Sequence, residues 1–325
     1  MSVLSAPFPW FGGKRKVAAE VWARFGDVAN YVEPFFGSGA VLLGRPACSG
    51  YETINDLDGY VCNFWRAVKH APDETADWAE NRVSENDLHA RHVWLVHQRD
   101  TLRARLEGDP DYYDPKIAGW WVWGVSSWIG SGFCSGDGPW HAVDGQLVRM
   151  GSGRGVTRQL VSLRRGGRGV DQRRVVTQWF AALSDRLRRV RVCSGDWLRV
   201  CSPCVTVGCG LTGVFLDPPY AGYSDLYRVG SEDVAHAVRA WAISNGSNPL
   251  LRIALCGYDG EHVMPPSWSV HQWSAGSGVG GQAAELTENG TRERIWFSPA
   301  CLSPQPSLFG PQPLDAIGHR PRRRR

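Results

Sequence analysis

No stretch of about 18 consecutive apolar residues occurs in the chain, so a membrane-spanning helix is not expected. Met1 to Pro9 likewise lacks a charged segment followed by an apolar one, which speaks against a secretion signal and makes the cytoplasm the expected location. Disulfide spacing is missing too: nine cysteines are scattered over 325 residues among strand-like and loop-like segments, the pattern of reduced thiols. Cys201, Cys204 and Cys209, with Cys193 in reach as a fourth, form a thiolate cluster, but the second half of a paired knuckle is absent and no metal is expected. A complete Gly-x-Gly-x-x-Gly fingerprint is also lacking, which argues for a ligand without a pyrophosphate.

Lysine disappears between Leu147 and Val200, where thirteen arginines face only three aspartates, although the whole chain carries a formal charge of +4. The positive field is therefore concentrated in one stretch. Arginines interleaved with glycine, as in Arg164-Arg165-Gly166-Gly167-Arg168-Gly169, suit a loop that tracks phosphates, because a guanidinium pairs with phosphate through two parallel hydrogen bonds. Arg149, Arg154, Arg158, Arg164, Arg165 and Arg168 are the candidate contacts, with a merely solvated surface as the alternative.

What the sequence does contain is 43% hydrophobic residues, enough at this length for one large α/β domain carrying an inserted smaller one. Lys14 to Phe25 reads as a helix. Tyr31-Val32-Glu33 reads as a strand running into the turn Phe36-Gly37-Ser38-Gly39 and a helix through Leu43. Glu52 to Asn55 follows as a strand and Gly59 to Lys69 as a helix, the beginning of a parallel sheet. Pro72 to Trp128 is helical text that ends in Trp120, Trp121, Trp123 and Trp128; core is favoured for these rings over stacking on bases. A glycine-dense loop is expected from Gly130 to Gly155. Strands resume at Val190 to Val192, Val214 to Leu216 and Leu250 to Leu255, with a helix around Val234 to Ile243. The predicted division is 1–70 and 189–299 as two parts of one sheet domain, 71–188 as a helical and basic insertion, and 300–325 as a basic tail.

Two constellations point to chemistry. Gly37 and Gly39 at the end of a first strand let the backbone approach a ligand, and Asp56 stands at the distance expected of a carboxylate that binds ribose hydroxyls. Asp217-Pro218-Pro219-Tyr220 follows an apolar strand, and its prolines stiffen the chain so that the Asp217 carboxylate and the Pro218 carbonyl stay oriented. Two rigid acceptors can hold both hydrogens of a ring-conjugated amine and localise the lone pair it needs to attack a methyl sulfonium. Tyr220 adds a flat face on which a base can stack. Taken alone, the tetrapeptide is equally a stiffened turn.

The blocks Pro9-Trp10-Phe11-Gly12-Gly13-Lys14, Tyr31-Val32-Glu33-Pro34-Phe35-Phe36-Gly37-Ser38-Gly39-Ala40, Asn55-Asp56-Leu57-Asp58 and Asp217-Pro218-Pro219-Tyr220 appear in that order. Together they resemble the Dam-like, D12-class adenine-N6 DNA methyltransferases. Ser194-Gly195-Asp196 and Arg292-Glu293-Arg294-Ile295-Trp296-Phe297 are similar to two further family segments. The resemblance implies a Rossmann-like S-adenosylmethionine-dependent methyltransferase fold with an inserted, mainly helical target-recognition region. It also implies S-adenosyl-L-methionine as cofactor and double-stranded DNA as partner.

Carried over by position, Trp10, Gly12, Gly13 and Lys14 would close over the cofactor. Glu33, Pro34 and Phe35 with Gly37, Ser38 and Gly39 would hold its methionine part, Asp56 its ribose and Asp196 its adenine. Asp217, Pro218, Pro219 and Tyr220 would hold an adenine turned out of the duplex for direct in-line transfer. The arginine-rich insertion, which matches the family poorly, would meet the DNA.

Beyond Pro299 the chain is rich in proline and polar residues and ends in Arg320-Pro321-Arg322-Arg323-Arg324-Arg325, a composition unsuited to a packed core. Within it, Gln305-Pro306-Ser307-Leu308-Phe309 resembles peptides that bind bacterial sliding clamps, through Gln305, Leu308 and Phe309; an ordinary linker is the alternative. Two competing functions stay open at this point: a methyltransferase for protein glutamine or RNA, and a DNA-binding homologue without activity.

Overall fold

A computed structural model describes residues 4–8, 10, 14–46, 50–128, 133–134, 140–143, 146–149, 172–219, 231–273 and 292–303. The chain opens with a short 3-10 turn at Lys14–Lys16 and then α1 (Ala18–Phe25), a break at Val17 that the single predicted helix missed. β1 (Asn30–Glu33), α2 (Ala40–Leu43), β2 (Tyr51–Asp56) and α3 (Gly59–His70) follow as expected. The segment up to β5 supplies α4 (Pro72–Ala79), α5 (Glu85–Gly108), α6 (Pro115–Ser127), the strands β3 (Trp140–Val143) and β4 (Gln146–Arg149), and α7 (Gln172–Leu187). The chain continues through β5 (Val190–Ser194), β6 (Thr212–Leu216), α8 (Ser231–Asn245), β7 (Leu251–Tyr258), β8 (Ser269–Gln272) and β9 (Glu293–Phe297).

The expected loop after Gly130 is corrected in part, because β3 and β4 pair antiparallel from Trp140↔Arg149 to Val143↔Gln146. Asp144-Gly145 between them is a strong hairpin signal, since a tight hairpin turn needs residues that tolerate positive φ.

Seven strands form one sheet in the order β5-β2-β1-β6-β7-β9-β8. All neighbours from β5 to β7 are parallel, and β9 is antiparallel to both β7 and β8. Alternation of side chains along the strands decides which layer each residue joins. Tyr31, Phe215, Ala254, Cys256, Ile295 and Phe297 face a core shared with α1, α3 and the helices between β2 and β5. Val32, Val214, Leu216, Ile253, Leu255 and Trp296 face the opposite layer, formed by α8 and the Trp197–Val200 turn.

Trp121, Trp123 and Trp128 are buried in the first of these cores, as the core reading of the tryptophan segment expected, and Trp120 packs half-buried against Trp78 and Trp94. α6 begins cleanly because Pro115 occupies its first turn and the Asp114 carboxylate accepts from Ile117 N at 2.9 Å.

A buried ion network ties α7 back to the sheet. The Glu52 carboxylate of β2 accepts from Arg45 at 3.0 Å and from both Arg186 guanidinium nitrogens at 2.7 and 2.8 Å. Arg186 also donates to the Leu42 carbonyl at 3.0 Å. These partners satisfy a carboxylate that would be costly to leave unpaired so far from water.

Candidate active site at the carboxyl ends of β1 and β6

The strand order reverses between β1 and β6, since the chain builds outward from β1 to β2 and β5 and then resumes on the other side. Ligands in open parallel sheets bind at such a reversal, beyond the carboxyl ends of the strands. Glu33 closes β1 and Asp217 directly follows β6. The same period-two alternation places Glu33, Asp217, Cys256 and Glu293 in phase with Tyr31, Phe215, Ala254 and Ile295, so four separate strands send polar side chains to one face.

Lys14 enters this cluster from the turn before α1. Its Nζ lies 3.0 Å from Asp217 Oδ1 and 4.0 Å from Glu293 Oε2, and 5.6 Å from the centre of the Trp273 ring. The lysine is only 5% exposed. Burial alone would push its pKa down, but the Asp217 and Glu293 carboxylates outweigh that and hold it above the ordinary lysine value, so the ammonium stays charged.

Glu33, 2% exposed, accepts a hydrogen bond from the Tyr31 hydroxyl at 2.8 Å. Burial drives its pKa well above the usual carboxylate range, the neighbouring Asp217 and Asp56 add to the rise, and the Tyr31 bond opposes it. Burial likewise drives the Cys256 thiol well up, which disfavours its thiolate.

The glycine turn is shaped by positive φ at two positions, +46° at Gly37 and +64° at Gly39. A Cβ at Gly37 would collide with the Trp10 indole and one at Gly39 with the Phe36 ring. Gly37 N donates to Asp56 Oδ2 at 2.9 Å, and Trp65 Nε1 donates to the Gly37 carbonyl at 3.0 Å. Asp56 thus fixes the turn as well as capping β2, and its other oxygen accepts from Asp58 N at 2.9 Å. Burial raises the Asp56 carboxyl to about 6 even though these amides pull it down.

Pro34 is buried with its carbonyl accepting from Asn55 Nδ2 at 3.1 Å; Phe35 lies beside Trp197, and Ser38 is half-buried. Asp196, exposed, caps the Trp197–Val200 turn through Leu198 N at 2.8 Å. It lies two residues beyond the strand that neighbours β2, because Asp56 pairs with Ser194, the last residue of β5. Pro218 is buried and Pro219 half-buried.

Gly12, Gly13, Tyr220, Arg154, Arg158, Arg164, Arg165, Arg168, Gln305, Leu308 and Phe309 lie outside the described residues, and only the backbone of Arg149, the last residue of β4, is described. Of the thiols, Cys201 is buried against the α8 layer while Cys204 is exposed. Among the described residues no group of three or more His, Cys, Asp or Glu is placed to hold a metal ion, and no helix is long and apolar enough to cross a membrane.

Sequence reasoning missed five residues of this neighbourhood. Glu293 was legible as a lone acid in the inward phase of Glu293, Ile295 and Phe297, and Tyr31 as the residue two before Glu33 on the same face. Leu57 and Leu198 follow Asp56 and Trp197 and are each 52% exposed, two apolar side chains left in water beside the two acids. Trp273 gave no signal, because only the pairing of β8 with β9 brings it to Lys14.

A mostly parallel seven-stranded sheet with one reversed strand near its edge, and an acidic site at its switch point, define the Rossmann-like methyltransferase fold. Residues 10–109 match the family described as D12 class N6 adenine-specific DNA methyltransferase. Over that span, under a third of its length, the chain is similar to this family, and the match supports an adenine-specific DNA methyltransferase. The matched span contains Trp10, Lys14, Glu33, the glycine turn and Asp56, and ends before Asp217. No curated protein matches the chain.

Proposed function

We propose that the chain methylates N6 of an adenine turned out of duplex DNA, with Asp217, Pro218, Pro219 and Tyr220 holding the base. One observation carries the reading: Asp217, at the strand-order switch and next to buried Glu33, is held by Lys14 at 3.0 Å. An anchored carboxylate keeps its direction, so its oxygens are set to accept from an amine. With the Pro218 carbonyl as second acceptor, both amine hydrogens are engaged and the lone pair is localised on nitrogen. Catalysis is then mainly positioning and exclusion of water, and the transfer is direct and in line.

S-adenosyl-L-methionine supplies the methyl group on a sulfonium. The residues present fit such a cation: Glu33 closes β1 at the switch point, and a sulfonium there would favour the ionised form of a carboxyl that burial holds up. Glu33, Pro34, Phe35 and the turn Gly37 to Gly39 would hold the methionine part, under Trp10, Gly12 and Gly13. Asp56 would bind the ribose and Asp196 the adenine. The exposed Leu57, directly after β2, and Leu198, in the Trp197–Val200 turn beyond β5, would cover the faces of the adenine ring.

Residues 71–188 would form the target-recognition region, with Arg149, Arg154, Arg158, Arg164, Arg165 and Arg168 on DNA phosphates. Residues 1–70 and 189–299 would form the catalytic domain, and 300–325 a basic tail. Sequence resemblance alone supports a sliding clamp at Gln305, Leu308 and Phe309. Transfer of labelled methyl into adenine of duplex DNA, compared with RNA and protein, tests the substrate. Asp217→Ala should abolish transfer while cofactor binding survives; near-full activity of that variant would overturn the site.

A further inference from the structure

We propose that Glu293, the first residue of β9, is a positioning residue for methyl transfer: it shares the Lys14 ammonium and so sets how strongly Lys14 engages Asp217. The inference rests on the reading of Asp217 as an acceptor of the amine.

Lysine carries its charge on a flexible four-carbon stem with three rotatable donors, so a single contact does not fix where it sits. Here the ammonium is bounded by Asp217 at 3.0 Å, Glu293 at 4.0 Å and the Trp273 ring at 5.6 Å. Glu293 is 3% exposed and stands opposite Tyr258 of β7, and its carbonyl accepts from Trp273 N at 3.3 Å. One edge of the sheet therefore delivers both the second carboxylate and the ring.

The separations matter chemically. At 3.0 Å the ammonium is hydrogen-bonded to Asp217, and at 4.0 Å it is attracted to Glu293 without a close bond. Without the Glu293 charge, Lys14 would be drawn harder to Asp217 and withdraw electron density from the oxygens that must accept the amine. With it, the ammonium orients Asp217 while leaving it a strong acceptor. The pair also explains why β9 begins with an acid at a position whose phase is otherwise apolar.

The test uses the full chain with S-adenosylmethionine and a duplex containing adenine, and separates cofactor affinity from the single-turnover methylation rate. Glu293→Gln, nearly the same shape without the charge, should slow single turnover about tenfold while cofactor affinity stays within about twofold. Glu293→Asp should recover part of the loss. Lys14→Met combined with Glu293→Gln should be clearly less than the product of the two single losses, because both act through one ammonium.

A Glu293→Gln enzyme with the wild-type rate, or single losses that multiply in the double variant, would overturn the inference. If Glu293→Gln fails to fold, Glu293→Asp and its cycle with Lys14→Met decide in the same way. Asp217→Asn run alongside keeps the two readings apart. Full activity of that variant removes the reading of Asp217 itself, whereas an inactive Asp217→Asn beside a fully active Glu293→Gln removes only the role of Glu293.

Discussion

Lys14, ahead of β1, and Asp217, just after β6, are far apart in the chain and meet at 3.0 Å. The glycine-flanked lysine block and the Asp-Pro-Pro-Tyr block thus contribute the two sides of one charged contact.

Replacing Lys14 by Met should lower single-turnover methylation by about 100-fold or more, since it removes the cation that orients Asp217. It should also lower stability by about 3 kcal/mol in urea unfolding, because carboxylates are left in a buried site without their cation. A variant with normal rate would show that the ion pair serves only the fold.

Gly37→Ala should weaken cofactor binding at least about tenfold and cost about 1–2 kcal/mol of stability. The position has φ +46° and its missing Cβ would meet the Trp10 indole. Equilibrium titration and chemical denaturation read the two effects separately.

Asp56 makes a pH prediction. Its carboxyl is raised to about 6 from 3.8, so the folded protein binds its proton more tightly than the unfolded chain does. The stability this group contributes is fully present below pH 3.8, declines as pH rises through about 6, and then stays constant. Cofactor affinity should run the other way, increasing between about pH 5 and 7 as the ribose-binding carboxylate ionises. Asp56→Asn should flatten both profiles, and an affinity profile unchanged by that substitution would exclude Asp56 from the ribose site.

Glu52→Gln should destabilise the fold by about 3 kcal/mol, since it leaves Arg45 without its buried counter-charge. Because Glu52 joins α2, β2 and α7 away from the switch point, methylation per folded molecule should be retained. Thermal unfolding and activity at low temperature measure the two quantities.

The joint change Arg164→Ala and Arg165→Ala should weaken duplex binding in low salt and reduce the slope of log affinity against log salt by about two. Cofactor affinity should not change. An unaltered salt slope would remove these arginines from the DNA surface.

The order of strands and helices was readable in the chain because buried strands are short, apolar and bounded by glycine or aspartate, and these signals are local. So was the position of Glu33, Asp56 and Asp217, each at or just past the end of such a strand. The hairpin β3–β4 was overlooked although Asp144-Gly145 marked it, and the break at Val17 left no trace in composition.

The sequence by itself determined which segments become strands and which acids stand at their carboxyl ends, since side-chain alternation and turn chemistry act over a few residues. Only the tertiary structure decided which of those ends are neighbours. Reversed β9, paired with β7 and β8, carries Glu293 and Trp273 to Lys14, and the β1–β6 pairing sets Asp217 beside Glu33. Those pairings arise from the burial of two apolar faces by a whole sheet, a balance summed over the entire chain that no single motif records.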